Sequence, residues 1–181
     1  MDAVELLKHD HRMVEQLFRD HHAAASDEQR RAVVELLVRE LSKHAALEEL
    51  LVYPLARRVT PDGGAEIDRH LLEHLDVKRT LYALDRLPVG SGKEEALMST
   101  LRGEVEEHVR EEESVLLPRL ADALGPQDLD DLGQVLDKAK QTAPTRPHPH
   151  APDEPPALTL AAPVAALYDR LRDRLQGRPR T

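Results

Sequence analysis

Apolar residues recur along this chain at alternating three- and four-residue spacings, the period that keeps side chains on one face of an α-helix. Four long segments carry the pattern. They read Val4, Leu7, His11, Val14, Phe18; then Val34, Leu37, Leu41, His44, Glu48, Leu51, Leu55; then Ile67, His70, His74, Val77, Leu81, Leu84; and finally Met98, Leu101, Val105, His108, Glu112, Val115. Caps and prolines set the ends. Asp2 caps a first helix to about His22, and the capping box Ser26-Asp27-Glu28-Gln29 opens a second that ends soon after Pro54. The turn Pro61-Asp62-Gly63-Gly64 leads into a third helix to about Leu87, and a second capping box, Ser91-Gly92-Lys93-Glu94, opens a fourth. Gly125-Pro126 stops that helix at about Leu124, and a shorter one follows from Pro126 to about Lys140. The expected fold is all-α: an antiparallel up-down-up-down four-helix bundle with a short extra helix, occupying residues 1–141.

Eight of the thirteen prolines lie beyond residue 141. Residues 142–163 therefore read as a Pro-rich extended arm, either a disordered tail or a segment that packs on the body or on a protein partner. Residues 164–181 read as a short amphipathic helix and tail, marked by Val164, Leu167, Leu171 and Leu175.

All four stripes are interrupted near mid-helix, where His, or a His and Glu pair, replaces the hydrophobe. A buried ionisable group costs several kcal/mol unless it is paired or metal-bound, so seven of them on core-facing stripes need a common explanation. In a bundle with short loops the middles of the helices share one layer, and His11, His44, Glu48, His70, His74, His108 and Glu112 converge there. His44-x-x-x-Glu48, His70-x-x-x-His74 and His108-x-x-x-Glu112 each place two donors on one helix face, with Cβ atoms roughly 5–6 Å apart. The segment from His44 to Pro54 also aligns with that from His108 to Pro118, so the body reads as two similar hairpins about a pseudo-two-fold axis. His70 breaks the symmetry, because Leu7 stands at its matching position.

Composition narrows the chemistry. With no Cys, thiolate ligands, disulfides and Fe–S clusters are excluded, which leaves imidazole and carboxylate. If both carboxylates bridge, one ion receives His70, His74 and His108, and the other His11 and His44. An added solvent bridge leaves the second ion with an open position, where O₂, NO, peroxide or azide would bind. Such a donor set suits non-haem iron better than calcium or magnesium, and zinc and manganese are also compatible with it. The formal charge of -9 for the whole chain is concentrated in the body, which carries -11 from 19 basic and 30 acidic residues once the six Arg and four acids of residues 142–181 are set aside. An acidic body excludes a nucleic-acid footprint. No apolar run spans a bilayer and the N-terminus has no leader pattern, so a cytoplasmic protein with no membrane association is expected. Only four aromatic residues are present, which suits a site holding a small ligand among aliphatic side chains such as Leu41, Leu51, Leu101 and Val105.

Taken together these motifs resemble the hemerythrin-like proteins with an HHE cation-binding domain, over residues 1 to about 124. The resemblance rests on His11 after Asp10, His44-x-x-x-Glu48 with Tyr53-Pro54, His70-x-x-x-His74, and His108-x-x-x-Glu112 with Leu117-Pro118. It implies a bundle holding an oxo- or hydroxo-bridged di-iron centre, with Glu48 and Glu112 as bridges and the five His as terminal ligands. The four-residue spacing of His108 and Glu112 departs from the respiratory members and resembles the bacterial branch. Residues beyond the domain resemble C-terminal extensions of actinobacterial relatives. The resemblance implies binding of O₂, NO or peroxide for sensing, scavenging or carriage; the alternatives are a catalase-like enzyme and an iron-responsive interaction protein. Of the remaining His, His9 is expected to face outward, His21 and His22 to lie at the surface or bundle end, and His148 and His150 to lie in the arm. Glu49, Glu111 and Glu113 are expected to face solvent or hydrogen-bond the imidazoles, and Tyr53 to pack at a helix end.

Overall fold

The computed structural model describes residues 1–60 and 63–150. Helix α1 spans Ala3–Ala23, α2 Asp27–Leu47, α3 Tyr53–Val59, α4 Gly63–Asp85, α5 Glu94–Glu111, α6 Leu117–Leu124 and α7 Pro126–Lys140. Asp2 caps α1 by accepting from the Glu5 amide at 2.9 Å, and Ser26 caps α2 by accepting from the Gln29 amide at 3.2 Å. The second capping box does not form. Ser91 Oγ accepts from Lys93 instead, and the Glu94 carboxylate turns inward to the buried His21, 3.0 Å from its Nε2. His21 is thus interior, while His9 and His22 are exposed.

The second and fourth rods are not continuous α-helix. Each widens into a single π turn, at Glu48–Val52 and Glu112–Leu116. The cause is the proline that follows: Pro54 and Pro118 have no N–H for the carbonyl four residues earlier, so the ladder slips by one and Tyr53 and Leu117 donate to the carbonyls of Glu48 and Glu112. One consequence corrects the expected stripe. After the slip Leu116, not Val115, is the fully buried residue.

Helix α1 packs on α2, α2 on α4, and α4 on α5, while α7 lies across α1 and α2. Two apolar clusters fill the bundle. One gathers Leu7, Leu47, Leu51, Leu55, Ile67, Leu116 and Leu120 with Leu132 and Leu136 of α7; the other gathers Val14, Phe18, Leu37, Leu41, Leu81, Leu84, Met98 and Leu101. The ionisable layer lies between them. Helix α7 comes so close to the start of α1 that a Cβ on Gly133 would meet Met1 O at 2.5 Å and Asp2 C at 2.8 Å. Gly133→Ala gains about 1 kcal/mol of helix propensity, but forcing backbone apart costs about 1–3 kcal/mol. The expected outcome is a lower melting temperature in calorimetry, whereas Gly103→Ala, with open space around it, should raise it.

The first part of the arm, residues 142–150, forms turns packed on the body: Arg146 donates to Asp85 at 2.7 Å and Pro147 is buried. The rest of the arm and the expected helix over 164–181 lie outside the described residues, as do Pro61 and Asp62 of the expected turn. Among the described residues no helix is long and apolar enough to cross a membrane.

Candidate metal centre

All seven stripe-breaking residues meet in the layer between the two apolar clusters, and each is at most 6% exposed. Glu48 and Glu112, the first residues of the two π turns, are completely buried at its centre. Around them the donor atoms fall into groups close enough to hold a cation: His11, His44, Glu48 and Glu112; Glu48, His74 and His108; and His70, His108 and Glu112. Both carboxylates belong to both sides. Glu48 turns Oε1 toward His44 Nε2 at 3.1 Å and Oε2 toward His74 Nε2 at 3.2 Å. Glu112 Oε2 lies 3.4 Å from His11 Nε2 and 3.5 Å from His108 Nε2.

A ring of outer carboxylates fixes the imidazoles. Glu113 lies 2.8 Å from His11 Nδ1, Glu49 2.9 Å from His74 Nδ1, and one oxygen of Glu73 lies 3.0 Å from His70 Nδ1 and 2.8 Å from His108 Nδ1. Asp10 faces His44 Nδ1 at 3.7 Å and is itself held by Lys140 of α7. At His11, His70, His74 and His108 the carboxylate at Nδ1 holds the proton there and leaves the Nε2 lone pair pointing inward, as metal-ligating histidines require.

That arrangement leaves lone pairs facing one another. His11 and His44 bring their Nε2 atoms to 3.2 Å, and His74 and His108 to 3.0 Å. Glu48 Oε1, Glu112 Oε2 and His70 Nε2 are buried and make no hydrogen bond. Unpaired buried acceptors are costly, and a cation at their centre would satisfy all of them. Without one, protons must serve. Burial would lower the His44 pKa, but the Glu48 carboxylate and then Asp10 outweigh it and raise it to about 10. His74 is raised to about 9 by Glu48 and Glu49 against the same burial. Glu48 is held well below the usual carboxylate range, its burial outweighed by His44 and His74.

Tyr53 belongs to the site, not merely to a helix end. In the π turn residues five apart share a face, so the phenol lies beneath Glu48. Its hydroxyl donates to Glu112 Oε1 at 2.8 Å and lies 2.9 Å from His74 Nε2. Burial, then Glu112 and Glu48, raise its pKa well above 10 and keep it a donor. The equivalent residue of the second hairpin is Leu117, in the apolar core. Tyr53→Phe is expected to fold normally and to hold metal roughly tenfold less tightly in a chelator competition, the lower end of effects for residues supporting metal ligands.

Sequence reasoning also missed Glu73 and Asp10. Their signals were local: Glu73 stands three residues after His70 on the same helix face, and Asp10 directly precedes His11. Glu49 and Glu113 bond imidazoles, as one of the two expectations had it, whereas Glu111 pairs with Arg69 at 2.7 Å.

Beside the layer lies a cavity with about 20 Å³ in which the centre of a water-sized molecule can sit, room for one such molecule. Its polar wall is His11, His44, His74 and His108, and its apolar wall includes Val14, Leu41, Val77, Val105 and Val109. Leu41 and Val105 line it as expected; Leu51 and Leu101 lie in the apolar clusters instead.

Residues 2–120 match the family model of the hemerythrin HHE cation binding domain. The chain is 32% identical over 143 residues to an uncharacterized hemerythrin-like protein of Schizosaccharomyces pombe, covering 77% of this chain and 70% of that one. It is similar in structure to a hemerythrin HHE cation binding domain-containing protein from Mycobacterium kansasii, with a TM-score of 0.69 and 26% identity over 78% of this chain and 86% of the other. Stripe, layer and family match agree, and the chain belongs to the hemerythrin HHE cation-binding family.

Proposed function

We propose that the chain is a non-haem di-iron protein that binds O₂, NO or peroxide at an open coordination position, as a sensor, scavenger or carrier. His70, His74 and His108 would hold one iron and His11 and His44 the other, with Glu48 and Glu112 available to both. The observation that carries this reading is that one buried group gathers His11 and His44 with both carboxylates, while two further groups that share His108 set His74 with Glu48 and His70 with Glu112. Bound iron supplies a redox-active Lewis acid for a diatomic or peroxide. Zinc or manganese would fit the same donors.

The chain's own residues do the rest. The outer carboxylates orient the imidazoles, Tyr53 donates to Glu112, and Val14, Leu41, Val77 and Val105 keep the cavity dry and small. Binding is favoured over catalase-like chemistry by one feature. Among the described residues the cavity wall offers no acid or base beyond the imidazoles, and Tyr53, whose hydroxyl is engaged by Glu112, is not part of that wall. In the iron-loaded protein azide should bind and shift the visible absorption, while peroxide should evolve little oxygen. Rapid oxygen evolution lost in His44→Ala would favour the enzyme instead.

A further inference from the structure

Neighbouring rods of the bundle pack closely except on one side. Between α1 and α5 runs a surface groove of about 370 Å³. Its rim is Arg12 and Glu15 from α1 with Glu106 and Arg110 from α5. Its floor contains His11, Val105 and Val109, and the same three residues line the internal cavity. One layer of side chains therefore separates the groove from the imidazoles.

These three differ in how firmly they are held. Val105 is 6% exposed and faces the bundle core. His11 is fixed through Nδ1 by Glu113 at 2.8 Å. Val109 is only half-buried and is the outermost of the three. The rim mixes basic and acidic side chains, so it does not select by charge. Selection falls to size.

Resting on the metal-site reading above, we propose that small ligands reach the cavity through the α1/α5 groove, passing between His11, Val105 and Val109, and that Val109 sets the size of what enters. Close-packed interiors exclude anything larger than a local void unless side chains move, so the thinnest wall is the route of entry.

The chain has no Cys, which makes a direct test available. Glu106→Cys places a single thiol on the rim, and Leu72→Cys, on α4 and 65% exposed, places one outside the groove. Each variant of the full iron-loaded chain is labelled with the same bulky maleimide, and azide is mixed in under stopped flow. The label on Glu106→Cys is expected to slow azide association and dissociation by roughly tenfold, with the affinity unchanged, because a blocked path alters rates and not the end states. Labelled Leu72→Cys should react at the wild-type rate. Val109→Phe should slow and Val109→Ala speed the same reaction. Wild-type rates in labelled Glu106→Cys, or Val109 variants that change affinity with the association rate left at the wild-type value, would overturn the route alone. An unmodified iron-loaded protein with no azide response would overturn the metal-site reading, and the route with it.

Discussion

Glu48→Gln is expected to empty the centre while leaving a folded bundle. The substitution preserves shape but leaves one oxygen where two are needed, since Oε1 faces His44 and Oε2 faces His74 at 3.1 and 3.2 Å. Whichever way the amide turns, one side of the layer meets an NH₂ group that cannot ligate a cation. Losing one member of a buried charge constellation costs about 3–5 kcal/mol, a loss of affinity of roughly a hundredfold to several thousandfold. Iron content per chain, measured after equilibration with a graded series of chelators, should fall from two to one or none. Glu113→Gln provides the contrast. Glu113 touches His11 Nδ1 from a side chain that is 36% exposed, so its loss should weaken metal retention by about tenfold. Full iron content with unchanged affinity in Glu48→Gln would remove Glu48 from the bridge.

Metal removal should be the largest single change in stability. Binding that occurs only in the native state stabilises it by about 4 kcal/mol when free metal is a thousandfold above its Kd. For a chain of this size that corresponds to a melting temperature lower by about 8–16 °C after chelation. The gap should depend on pH, and its sign follows from the imidazoles. In the metal-free protein His44 and His74 are raised from 6.5 to about 10 and about 9. A raised pKa contributes stability that is fully present below 6.5 and is lost as pH climbs through 9 and 10. Metal-loaded protein carries no proton on those nitrogens and does not suffer that loss. Calorimetry of loaded and chelated samples at pH 6.5, 8 and 9.5 should therefore show the difference widening with pH. Glu73 acts at the other extreme: burial would raise its pKa, but His108 and His70 lower it to about 2. Its contribution is present above 4.5 and lost as pH falls through 2.

Helix positions and the buried ionisable layer could be read from the sequence because both rest on one periodic signal. A helix that buries a face must put its stripe inward, so a His in that stripe is interior before any coordinates are seen. His11, His44, His70, His74 and His108 were legible on this ground, and so were Glu48 and Glu112. What escaped depends on a register change that periodicity does not contain. Pro54 was read as lying just before a helix end and Pro118 as lying within a continuous fourth helix, yet at both the missing N–H widens the preceding turn without ending the rod. That single-residue slip brings Tyr53 to Glu112 and buries Leu116 in place of Val115. The outer carboxylates escaped for a different reason. Glu73 and Asp10 sit off the stripe, and a charged residue there looks like ordinary solvated surface until its partner on another helix is known. Lys140 is the clearest case, since it reaches Asp10 from a helix beyond the matched domain.

The proposed centre holds two irons that share Glu48 and Glu112. Mössbauer and magnetic measurements on protein loaded anaerobically with ⁵⁷Fe and then oxidised test it most directly. Two ferric ions per chain, coupled to a diamagnetic ground state and altered by azide, are the expected result. Saturation at a single magnetically isolated iron per chain would contradict it.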